Sequence, residues 1–354
     1  MKILVTGGAG FIGSNFVHHI LRNHPSDRVI VVDTLTYASN MRNLEGALSD
    51  HRVQFVRLDV CDPAVAEVMK DCDAVVHFAA ESHVDRSIED ASPFMRTNVE
   101  GTWRMVEACR AARVARFVHV STDEVYGSLE PEEKSTESSR LAPTSPYAAS
   151  KAASDLLVLS AVKTYGFPAI ITRCTNNYGP FQFPEKFIPL MICQALANQL
   201  LPVYGDGRNV RDWIHVADHC RALDLILHKG REGEIYNIGG GYELENITVA
   251  RRILSALDRP ESLLKFVADR PAHDRRYALD CSKLKSELGW EPNRAFDRGL
   301  AETIRWYQEN TAWVQETRNG EYQEYFERHY LRREELLPYL TAPAPESVPN
   351  TDKA

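Results

Sequence analysis

The sequence predicts an α/β fold, in which a doubly wound parallel sheet carries a second, smaller α/β lobe. Three observations indicate this: short apolar runs alternate with helical patterns, a glycine-rich turn follows the first run, and an aspartate ends the second. The runs span residues 2–6, 28–32, 53–58, 73–78, 115–120 and 168–173, and the clearest helical patterns span 11–23, 93–112 and 146–165. Such alternation is typical of a parallel sheet with helices on both faces.

Size and composition describe an ordinary globular protein. Of 354 residues, 44% are hydrophobic and 25% are charged, and the net charge of -8 disfavours non-specific nucleic-acid binding. The first residues resemble no signal peptide, and no apolar run approaches the roughly 18 residues of a membrane span. Seven scattered cysteines without a C-x-x-C pair favour reduced thiols. We therefore expect a cytoplasmic protein with neither a nucleic-acid nor a membrane partner.

The glycine-rich turn predicts a dinucleotide site. Gly7, Gly10 and Gly13 follow the first strand with the spacing G-x-x-G-x-x-G. The first two glycines permit a tight turn and close approach of a pyrophosphate, and Gly13 lets the following helix pack near the sheet. The same turn could serve only as a strand-to-helix corner, but the Rossmann-like strand order favours the cofactor site.

Further residues favour NAD over NADP. Asp33 ends the second strand, 20 residues after Gly13. A carboxylate there can accept both adenosine ribose hydroxyls and would repel a 2′-phosphate. Asp59 and Val60 follow the third strand and could reach the adenine. The small residues of 78–83 let the chain pass close to the cofactor.

A tyrosine and a lysine form a candidate catalytic pair. Tyr147 and Lys151 are spaced Tyr-x-x-x-Lys, so they share one face of the helical pattern 146–165. A free tyrosine is a poor base at neutral pH, but a nearby ammonium and a positive nicotinamide favour the phenolate. Thr122 is a candidate hydrogen-bond partner of the same substrate hydroxyl. The alternative is a surface helix that happens to contain both residues.

Asp123 and Glu124 point to a second chemical step. Plain alcohol oxidation needs no extra acid and base, so an acidic pair beside Tyr147 suggests coupling to another step, such as elimination of water. The alternative is an acidic loop that is merely solvated. Because adjacent residues of a regular strand face opposite ways, both carboxyls reach one substrate only where the backbone turns irregular at the strand end.

Later segments predict the smaller lobe. Loop-rich stretches at 176–180 and 204–207, a strand at 235–238 and helical patterns at 247–257, 282–288 and 296–308 follow residue 175. We predict an NAD-binding domain over residues 1–175 that carries the catalytic residues, and a nucleotide-sugar lobe over 176–335, with segments that cross between them. Residues 341–354 are predicted to be a disordered tail.

Taken together, these residues resemble the extended short-chain dehydrogenase/reductase superfamily and, within it, the dTDP-glucose 4,6-dehydratase family. The narrow signal is the run Ser-Thr-Asp-Glu-Val-Tyr-Gly at 121–127, because the related epimerases and decarboxylases typically lack the Asp-Glu pair. Further matching runs are 81–87, 97–98, 173–180, 184–187, 202–205, 211–213 and 269–271. The resemblance covers roughly residues 1–310.

The resemblance implies a lyase that uses NAD to convert dTDP-glucose to dTDP-4-keto-6-deoxyglucose in deoxysugar biosynthesis. Tyr147 takes the proton of the C4 hydroxyl while hydride passes to NAD, Glu124 removes the C5 proton, and Asp123 protonates the departing C6 hydroxyl. Hydride then returns to C6. Two other readings stay open, namely another NAD-dependent nucleotide-sugar epimerase or decarboxylase, and a non-catalytic NAD-binding scaffold. The nucleotide base also stays open between dTDP, UDP, GDP and CDP.

The resemblance also implies contact residues and a partner. Expected cofactor contacts are Gly7, Gly10, Phe11, Ile12, Gly13, Asp33, Thr34, Leu35, Thr36, Asp59, Val60, Phe78, Ala79, Ala80, Glu81, Ser82, Thr97, Tyr147, Lys151 and Asn177. Expected substrate contacts are Ser82, Thr122, Asp123, Glu124, Asn176, Lys186, Phe187, Pro202, Val203, Tyr204, Arg211, Asn246, Asp269, Arg270 and His273. The family forms a homodimer through a four-helix bundle, built from the helix bearing Tyr147 and the one bearing the apolar stripe Met95, Val99, Trp103 and Val106. The alternative is a stripe that faces the protein's own core, and one helix can bury two faces.

The sequence departs from the family pattern at two positions and contains one potential metal motif. Ala272 stands where the family usually has glycine, and His215 where a tyrosine is common. His215 and His219 have the spacing of helical metal ligands, but no third ligand or intervening glutamate accompanies them. We therefore expect no metal.

Overall fold

The computed structural model describes residues 1–341. The predicted disordered tail lies outside the described residues, apart from Thr341, which ends the last helix. Within the described part, no helix is both long enough and apolar enough to cross a bilayer. All seven cysteines are free thiols; Cys61 and Cys281 are half-buried and the others are buried.

Twelve strands form three sheets in this part of the chain. They are β1 (Lys2–Thr6), β2 (Arg28–Asp33), β3 (Val53–Arg57), β4 (Ala74–His77), β5 (Arg116–Thr122), β6 (Ala169–Cys174), β7 (Asn176–Tyr178), β8 (Leu201–Tyr204), β9 (Val210–His215), β10 (Ile235–Ile238), β11 (Glu243–Glu245) and β12 (Leu264–Val267).

Fifteen α-helices accompany the strands in residues 1–341. They are α1 (Phe11–Asn23), α2 (Glu45–Leu48), α3 (Val65–Val68), α4 (Val84–Glu89), α5 (Ser92–Phe94), α6 (Thr102–Ala112), α7 (Pro146–Tyr165), α8 (Phe187–Leu196), α9 (Val216–Lys229), α10 (Asn246–Ala256), α11 (Ser282–Leu288), α12 (Phe296–Glu309), α13 (Thr311–Thr317), α14 (Gly320–Phe326) and α15 (Arg333–Thr341). 3₁₀ turns span Met41–Leu44, Asp123–Tyr126 and Glu261–Leu263, and π-helical turns span Met95–Gly101 and Glu327–Leu331.

The large sheet confirms the predicted doubly wound fold. Its seven strands run in the order β10-β6-β5-β4-β1-β2-β3, and every pairing is parallel. Both faces are buried, since Ile3 and Val5 belong to one hydrophobic cluster and Leu4, between them, belongs to another. The chain winds outward in opposite directions from β1 and β4. Ligands of such sheets bind at that switch point, beyond the carboxyl ends of the strands.

Helix α7 carries the Tyr-Lys pair, and its sequence determines both of its ends. The Ser145 hydroxyl accepts a hydrogen bond from the amide of Ala148 at 3.1 Å, and Pro146 occupies the first turn. Gly166 ends the helix in a left-handed conformation with φ of 62°. These signals determine where α7 begins and ends, and the helix packs against β5 and β6.

The smaller lobe consists of two small sheets and a separate hydrophobic core. One sheet has the order β11-β9-β7, and the other pairs β12 with β8. Helices α8, α10 and α12 supply much of this core, which is rich in aromatic side chains such as Trp213, Tyr307 and Trp313.

One segment of the later chain returns to the large sheet. Strand β10 pairs with β6, and Leu223 and Ile226 of α9 lie in the same hydrophobic cluster as Phe16 and Ile20 of α1. We therefore propose a boundary at residue 175, with residues 216–238 as a segment that completes the first domain.

Candidate active site

A cavity of about 780 Å³ opens at the carboxyl ends of the central strands. Its lining includes the glycine turn between β1 and α1, the ends of β2, β4 and β5, and the start of α7. Thr122, Asp123, Glu124, Tyr147 and Lys151 all line it. The five residues predicted to be catalytic therefore share one cavity with the predicted cofactor site.

The glycine turn leaves room for a diphosphate. Gly7 has φ of +66°, and a Cβ there would lie 2.7 Å from the backbone nitrogen of Ala79. A Cβ on Gly13 would lie 2.3 Å from the carbonyl oxygen of Gly7, so both positions require glycine. Gly10 caps α1 without a side-chain hydrogen bond. The first amides of α1 thus stay available to phosphate oxygens.

Asp33 is held in place by three hydrogen bonds. Its Oδ1 accepts from the Leu35 amide at 2.8 Å and from the Ser39 hydroxyl at 2.9 Å, while Oδ2 accepts from the Ala9 amide at 3.0 Å. Burial raises the pKa of Asp33, and these donors oppose that shift. A carboxylate offers about four lone-pair sites, so Asp33 can still accept from a ribose hydroxyl.

At the adenine end, Asp59 has two close partners. Its Oδ1 accepts from the Cys61 amide at 2.8 Å, and its Oδ2 lies 2.6 Å from Nη1 of Arg96. Val60 and Arg96 also line the cavity. Sequence reasoning did not identify Arg96, because nothing local links it to the end of β3.

The segment after β4 is fixed to the helices. The amide of Glu81 donates to Oδ1 of Asn98 at 2.9 Å, and Nδ2 of Asn98 donates to the carbonyl oxygen of Glu81 at 3.0 Å. The same Nδ2 lies 2.8 Å from Oγ of Ser150 on α7. Asn98 therefore connects the cofactor-facing segment to the helix that carries Tyr147.

The backbone at the end of β5 turns as the acidic pair requires. Residues Asp123–Tyr126 form a 3₁₀ turn directly after the strand. Thr122 caps this turn, since its hydroxyl accepts from the Glu124 amide at 3.3 Å and donates to Oδ1 of Asp123 at 3.2 Å. Both carboxyl residues consequently line one cavity rather than facing opposite sides of the sheet.

The electrostatics of the acidic pair differ from those of an exposed loop. Burial, then the charge of Glu124, raises the pKa of Asp123 well above its ordinary value. Burial also raises the pKa of Glu124, while the charges of Arg270 and Arg211 act to lower it. A protonated Asp123 beside an ionised Glu124 is the state that these shifts favour.

Tyr147 and Lys151 are both buried in the cavity wall. Burial, then the charge of Glu124, raises the pKa of Tyr147 well above its usual range, while Thr122 lowers it. Burial lowers the pKa of Lys151 to about 8, and its ammonium donates to the carbonyl oxygen of Val120 at 2.9 Å. Tyr147 therefore keeps its proton until positive charge is brought beside it.

A charged cluster connects the smaller lobe to Asp85 of α4, in the first domain. The Tyr204 hydroxyl donates to Oδ2 of Asp85 at 2.6 Å, and Nη1 of Arg270 lies 3.3 Å from Oδ1. The guanidinium of Arg211 lies 4.4 Å from the ring centre of Tyr277. The charges of Arg270 and Arg211 counteract the effect of burial on the pKa of Glu124, which lines the cavity.

Several buried atoms in this region have unused hydrogen-bonding capacity. Oδ1 of Asn176, Oδ1 of Asn246 and Nε of Arg270 have no partner within residues 1–341. Buried polar groups are normally paired, so these atoms suit a polar ligand.

The predicted contact residues divide into two groups. All predicted cofactor contacts line the cavity except Leu35, whose amide instead supports Asp33. Six predicted substrate contacts line it, namely Ser82, Thr122, Asp123, Glu124, Asn176 and Lys186. The others lie outside its lining: Phe187, Pro202, Val203, Tyr204, Arg211, Asn246, Asp269, Arg270 and His273.

Sequence reasoning missed a cationic clamp above the cavity. Nε of Arg86 lies 3.1 Å from Oε2 of the buried Glu185, which lines the cavity. The guanidinium of Arg86 lies between two rings, 3.9 Å from the centre of Tyr37 and 4.4 Å from that of Tyr325. Arg86 and Glu185 stand in the matching runs 81–87 and 184–187, but only folding brings Tyr37 and Tyr325 to them.

The two histidines of the rejected metal motif have other partners. Nδ1 of His215 accepts from the Ala217 amide at 3.1 Å and so caps α9. Nδ1 of His219 lies 2.9 Å from Oδ1 of Asn177, which lines the cavity. His219 thus orients a predicted cofactor contact.

Comparisons with known proteins agree with this geometry. A family model described as GDP-mannose 4,6 dehydratase matches residues 4–303. A curated dTDP-glucose 4,6-dehydratase from Actinoplanes sp. is 52% identical over 319 residues, which cover 88% of this chain and 99% of the relative.

Solved structures extend the comparison. The crystal structure of DesIV, a dTDP-glucose 4,6-dehydratase from Streptomyces venezuelae with NAD and TYD bound, has a TM-score of 0.88 and 52% identity, covering 90% of this chain and 100% of that one. The UDP-glucuronic acid 4-epimerase from Bacillus cereus, with UDP-glucuronic acid and NAD, has a TM-score of 0.83 and 28% identity, covering 87% of this chain and 99% of that one.

Proposed function

The chain belongs to the GDP-mannose 4,6-dehydratase family and acts as an NAD-dependent dTDP-glucose 4,6-dehydratase, and we propose that Tyr147, Glu124 and Asp123 perform its proton transfers. The observation that carries this proposal is that these residues line one cavity with Lys151 and the glycine turn. Bound NAD supplies the hydride acceptor for C4 and the hydride donor for C6.

Tyr147 acts as the base toward the C4 hydroxyl of glucose. Its pKa is raised by burial, so positive charge must favour the phenolate for it to take a proton. Lys151 follows it by one helical turn and supplies part of that charge as long as it is protonated. Thr122, whose hydroxyl belongs to the same cavity wall, holds the substrate hydroxyl in line.

Glu124 and Asp123 divide the elimination between them. Oxidation at C4 acidifies the C5 proton, which the ionised Glu124 removes. Asp123 has the more strongly raised pKa and therefore carries a proton to give to the departing C6 hydroxyl. A base and an acid in opposite protonation states are what an elimination of water needs.

The smaller lobe binds the nucleotide diphosphate. Arg270 keeps Nε unpaired, and Arg211 lies close enough to Glu124 for their charges to interact. Guanidinium groups bind phosphate oxygens in a bidentate manner, so these two residues are the diphosphate clamp. Asn176 and Asn246 offer unpaired Oδ1 atoms to the sugar and the nucleoside.

We also propose a homodimer in the cytoplasm. The apolar stripe of the π-helical turn and α6 is only partly covered by its own chain, since Met95 is 43% exposed. On α7, Leu156 is 57% exposed and Tyr165 is 50% exposed. A four-helix interface with a second copy would bury these side chains.

An epimerase or decarboxylase is the rival function within the same fold. The epimerase from Bacillus cereus has a similar fold, so fold alone does not separate the two. The acidic pair does, because epimerisation at C4 requires no proton transfer at C5 and C6. A non-catalytic scaffold would need neither Tyr147 nor that pair.

Turnover with each nucleotide-glucose tests the proposal. The purified protein with NAD is offered dTDP-, UDP-, GDP- and CDP-glucose in separate reactions. We expect dTDP-glucose to lose the mass of one water with no external oxidant. An unchanged mass with an inverted C4 would identify the epimerase, and no product from any of the four would exclude the dehydratase and leave the decarboxylase and the scaffold.

A further inference from the structure

Three histidines surround one carboxylate where α1 and α9 pack side by side. Nε2 of His19 lies 2.8 Å from Oδ2 of Asp224, and Nε2 of His24 lies 2.9 Å from Oδ1. Nδ1 of His228, one turn after Asp224, lies 2.9 Å from the same Oδ1. None of these four residues lines the active-site cavity. The cluster therefore has no part in the reaction derived above.

The hydrogen bonds determine which ring nitrogens carry a free lone pair. An ionised carboxylate only accepts, so the nitrogen facing Asp224 must carry the proton in each ring. Nδ1 of His24 and Nε2 of His228 then each carry a free lone pair. Within residues 1–341, no hydrogen bond reaches either atom.

A second carboxylate completes the group. Asp27 is 5% exposed, and its Oδ1 accepts a hydrogen bond from the amino group of Met1 at 2.5 Å. Its Oδ2 is buried and has no partner in the described part of the chain. His24, Asp27 and His228 each offer one ligand atom, and these three atoms lie within 4.8 Å of one another. The amino group of Met1 occupies only Oδ1, so Oδ2 is free to bind a second cation.

We propose that His24, Asp27 and His228 bind a divalent transition-metal ion of the zinc class. Two imidazole nitrogens and a carboxylate oxygen suit Zn²⁺, Co²⁺, Ni²⁺ or Cu²⁺, whereas Mg²⁺ and Ca²⁺ prefer oxygen ligands alone. Asp224 orients both imidazoles from behind, as a carboxylate behind a metal-bound histidine commonly does.

Neighbouring contacts hold the ligands in place. Nδ1 of His19 accepts from Nδ2 of Asn23 at 3.3 Å, which leaves Nε2 to donate to Asp224. Nη1 of Arg52 donates to the carbonyl oxygen of His24 at 3.0 Å. The rings of His24 and His228 stack, with centroids 4.5 Å apart and an interplanar angle of 11°. The site is thus arranged before an ion arrives.

The ion would clamp the far end of α1 to α9. Helix α1 has 13 residues, so at about 1.5 Å per residue the site lies about 20 Å from the glycine turn at its other end. Such a distance excludes direct contact with cofactor or substrate. Binding should therefore raise thermal stability and leave turnover unchanged.

Metal uptake by tag-free protein with bound NAD tests the proposal. After treatment with a chelator, the protein is dialysed against Zn²⁺ or Co²⁺, and the bound metal is counted per chain. We expect one saturable ion, which His24→Gln and His228→Gln each remove. His51→Gln is the matched control, because the side chain of His51 is 91% exposed and belongs to no such cluster.

Asp224→Asn separates orientation from ligation. It keeps all three ligands, and we expect metal affinity to fall by about 10–100-fold. Circular dichroism and turnover of the metal-free variants should equal those of the unsubstituted protein. The proposal is overturned if the unsubstituted protein takes up no saturable Zn²⁺ or Co²⁺. Equal ion counts in His24→Gln, His228→Gln and the unsubstituted protein would also overturn it.

Discussion

The hydroxyl of Thr122 accepts a hydrogen bond from the amide of Glu124 at 3.3 Å, which turns the backbone away from the strand direction. Without this turn, consecutive side chains would face opposite sides of the sheet. With it, Asp123 and Glu124 line the cavity that Tyr147 and Lys151 also line. One hexose can therefore meet all four side chains.

Glu124→Gln should separate oxidation from elimination. The amide cannot take the C5 proton, so we expect release of water to fall by about 10²–10⁴-fold. Reduction of NAD at C4 should persist and appear as the absorbance of the reduced cofactor. Glu132→Gln, at an exposed glutamate of the same stretch, should leave both steps unchanged. Simultaneous loss of oxidation and elimination would contradict the role of Glu124.

Asp123→Asn should stabilise the protein increasingly as pH rises. The pKa of Asp123 is raised in the folded state, so the folded protein keeps a proton that the unfolded chain loses above about pH 4. The wild-type side chain is therefore neutral in both states at low pH. At pH values between the unfolded-state and folded-state pKa of Asp123, the wild-type protein loses about 1.4 kcal/mol of stability for each pH unit. The gap in melting temperature between variant and wild type should widen from pH 4 to pH 8. A constant gap would contradict the raised pKa.

Tyr147→Phe should suppress the first oxidation. The ring keeps its packing against Phe94, with centroids 6.3 Å apart, but the hydroxyl that takes the proton is gone. We expect NAD reduction by dTDP-glucose to slow by about 10²–10⁴-fold. Binding of NAD, measured by calorimetry, serves as the control and should change little. Undiminished NAD reduction would remove Tyr147 as the base.

Ala272→Gly should stabilise the protein. Ala272 has φ of 50°, in the left-handed region that costs a residue with a Cβ about 1–2 kcal/mol. Allowing for the greater freedom of glycine in the unfolded chain, we expect a gain of about 1 kcal/mol in the free energy of unfolding. Ala301→Gly is the matched control, because Ala301 is exposed in the interior of α12, where glycine lowers stability by about 1 kcal/mol. Chemical denaturation measures both variants, and a loss of stability in Ala272→Gly would contradict the expected strain.

Leu156→Glu should give a monomer. Leu156 is 57% exposed on α7, and a buried, unpaired carboxylate at a four-helix interface would oppose association. Light scattering after size exclusion measures the mass of the particle. Leu200→Glu changes a leucine that is 44% exposed outside these helices, and it should leave the dimer intact. A dimer with Leu156→Glu would exclude the proposed interface.

Local patterns were enough to predict the framework of the first domain. Runs of buried aliphatic residues indicated the strands, and a glycine whose Cβ would meet Ala79 could be recognised from spacing alone. The acidic pair could also be recognised, and with it the need for a turn of the backbone after Thr122. These features depend on residues close in the chain, so the sequence contains them directly.

Features built from distant segments could not be predicted in this way. Arg86 contacts Tyr37 and Tyr325, and no local pattern links the three. The histidine cluster is similar, because His24 and Asp224 are 200 residues apart. His215 and His219 have the spacing of helical metal ligands, but His215 caps α9 and His219 contacts Asn177. Tertiary packing determines such contacts, and the hydrophobic periodicity of the sequence does not indicate which distant segments pack together.

Isotope transfer tests the central chemistry most directly. The protein with NAD is given dTDP-glucose that carries deuterium at C4, and the position of the label in the product is read by NMR. Oxidation, elimination and hydride return within one cavity predict deuterium at C6 of the 4-keto-6-deoxy product. Deuterium retained at C4, or an unlabelled C6 in a dehydrated product, would contradict the account.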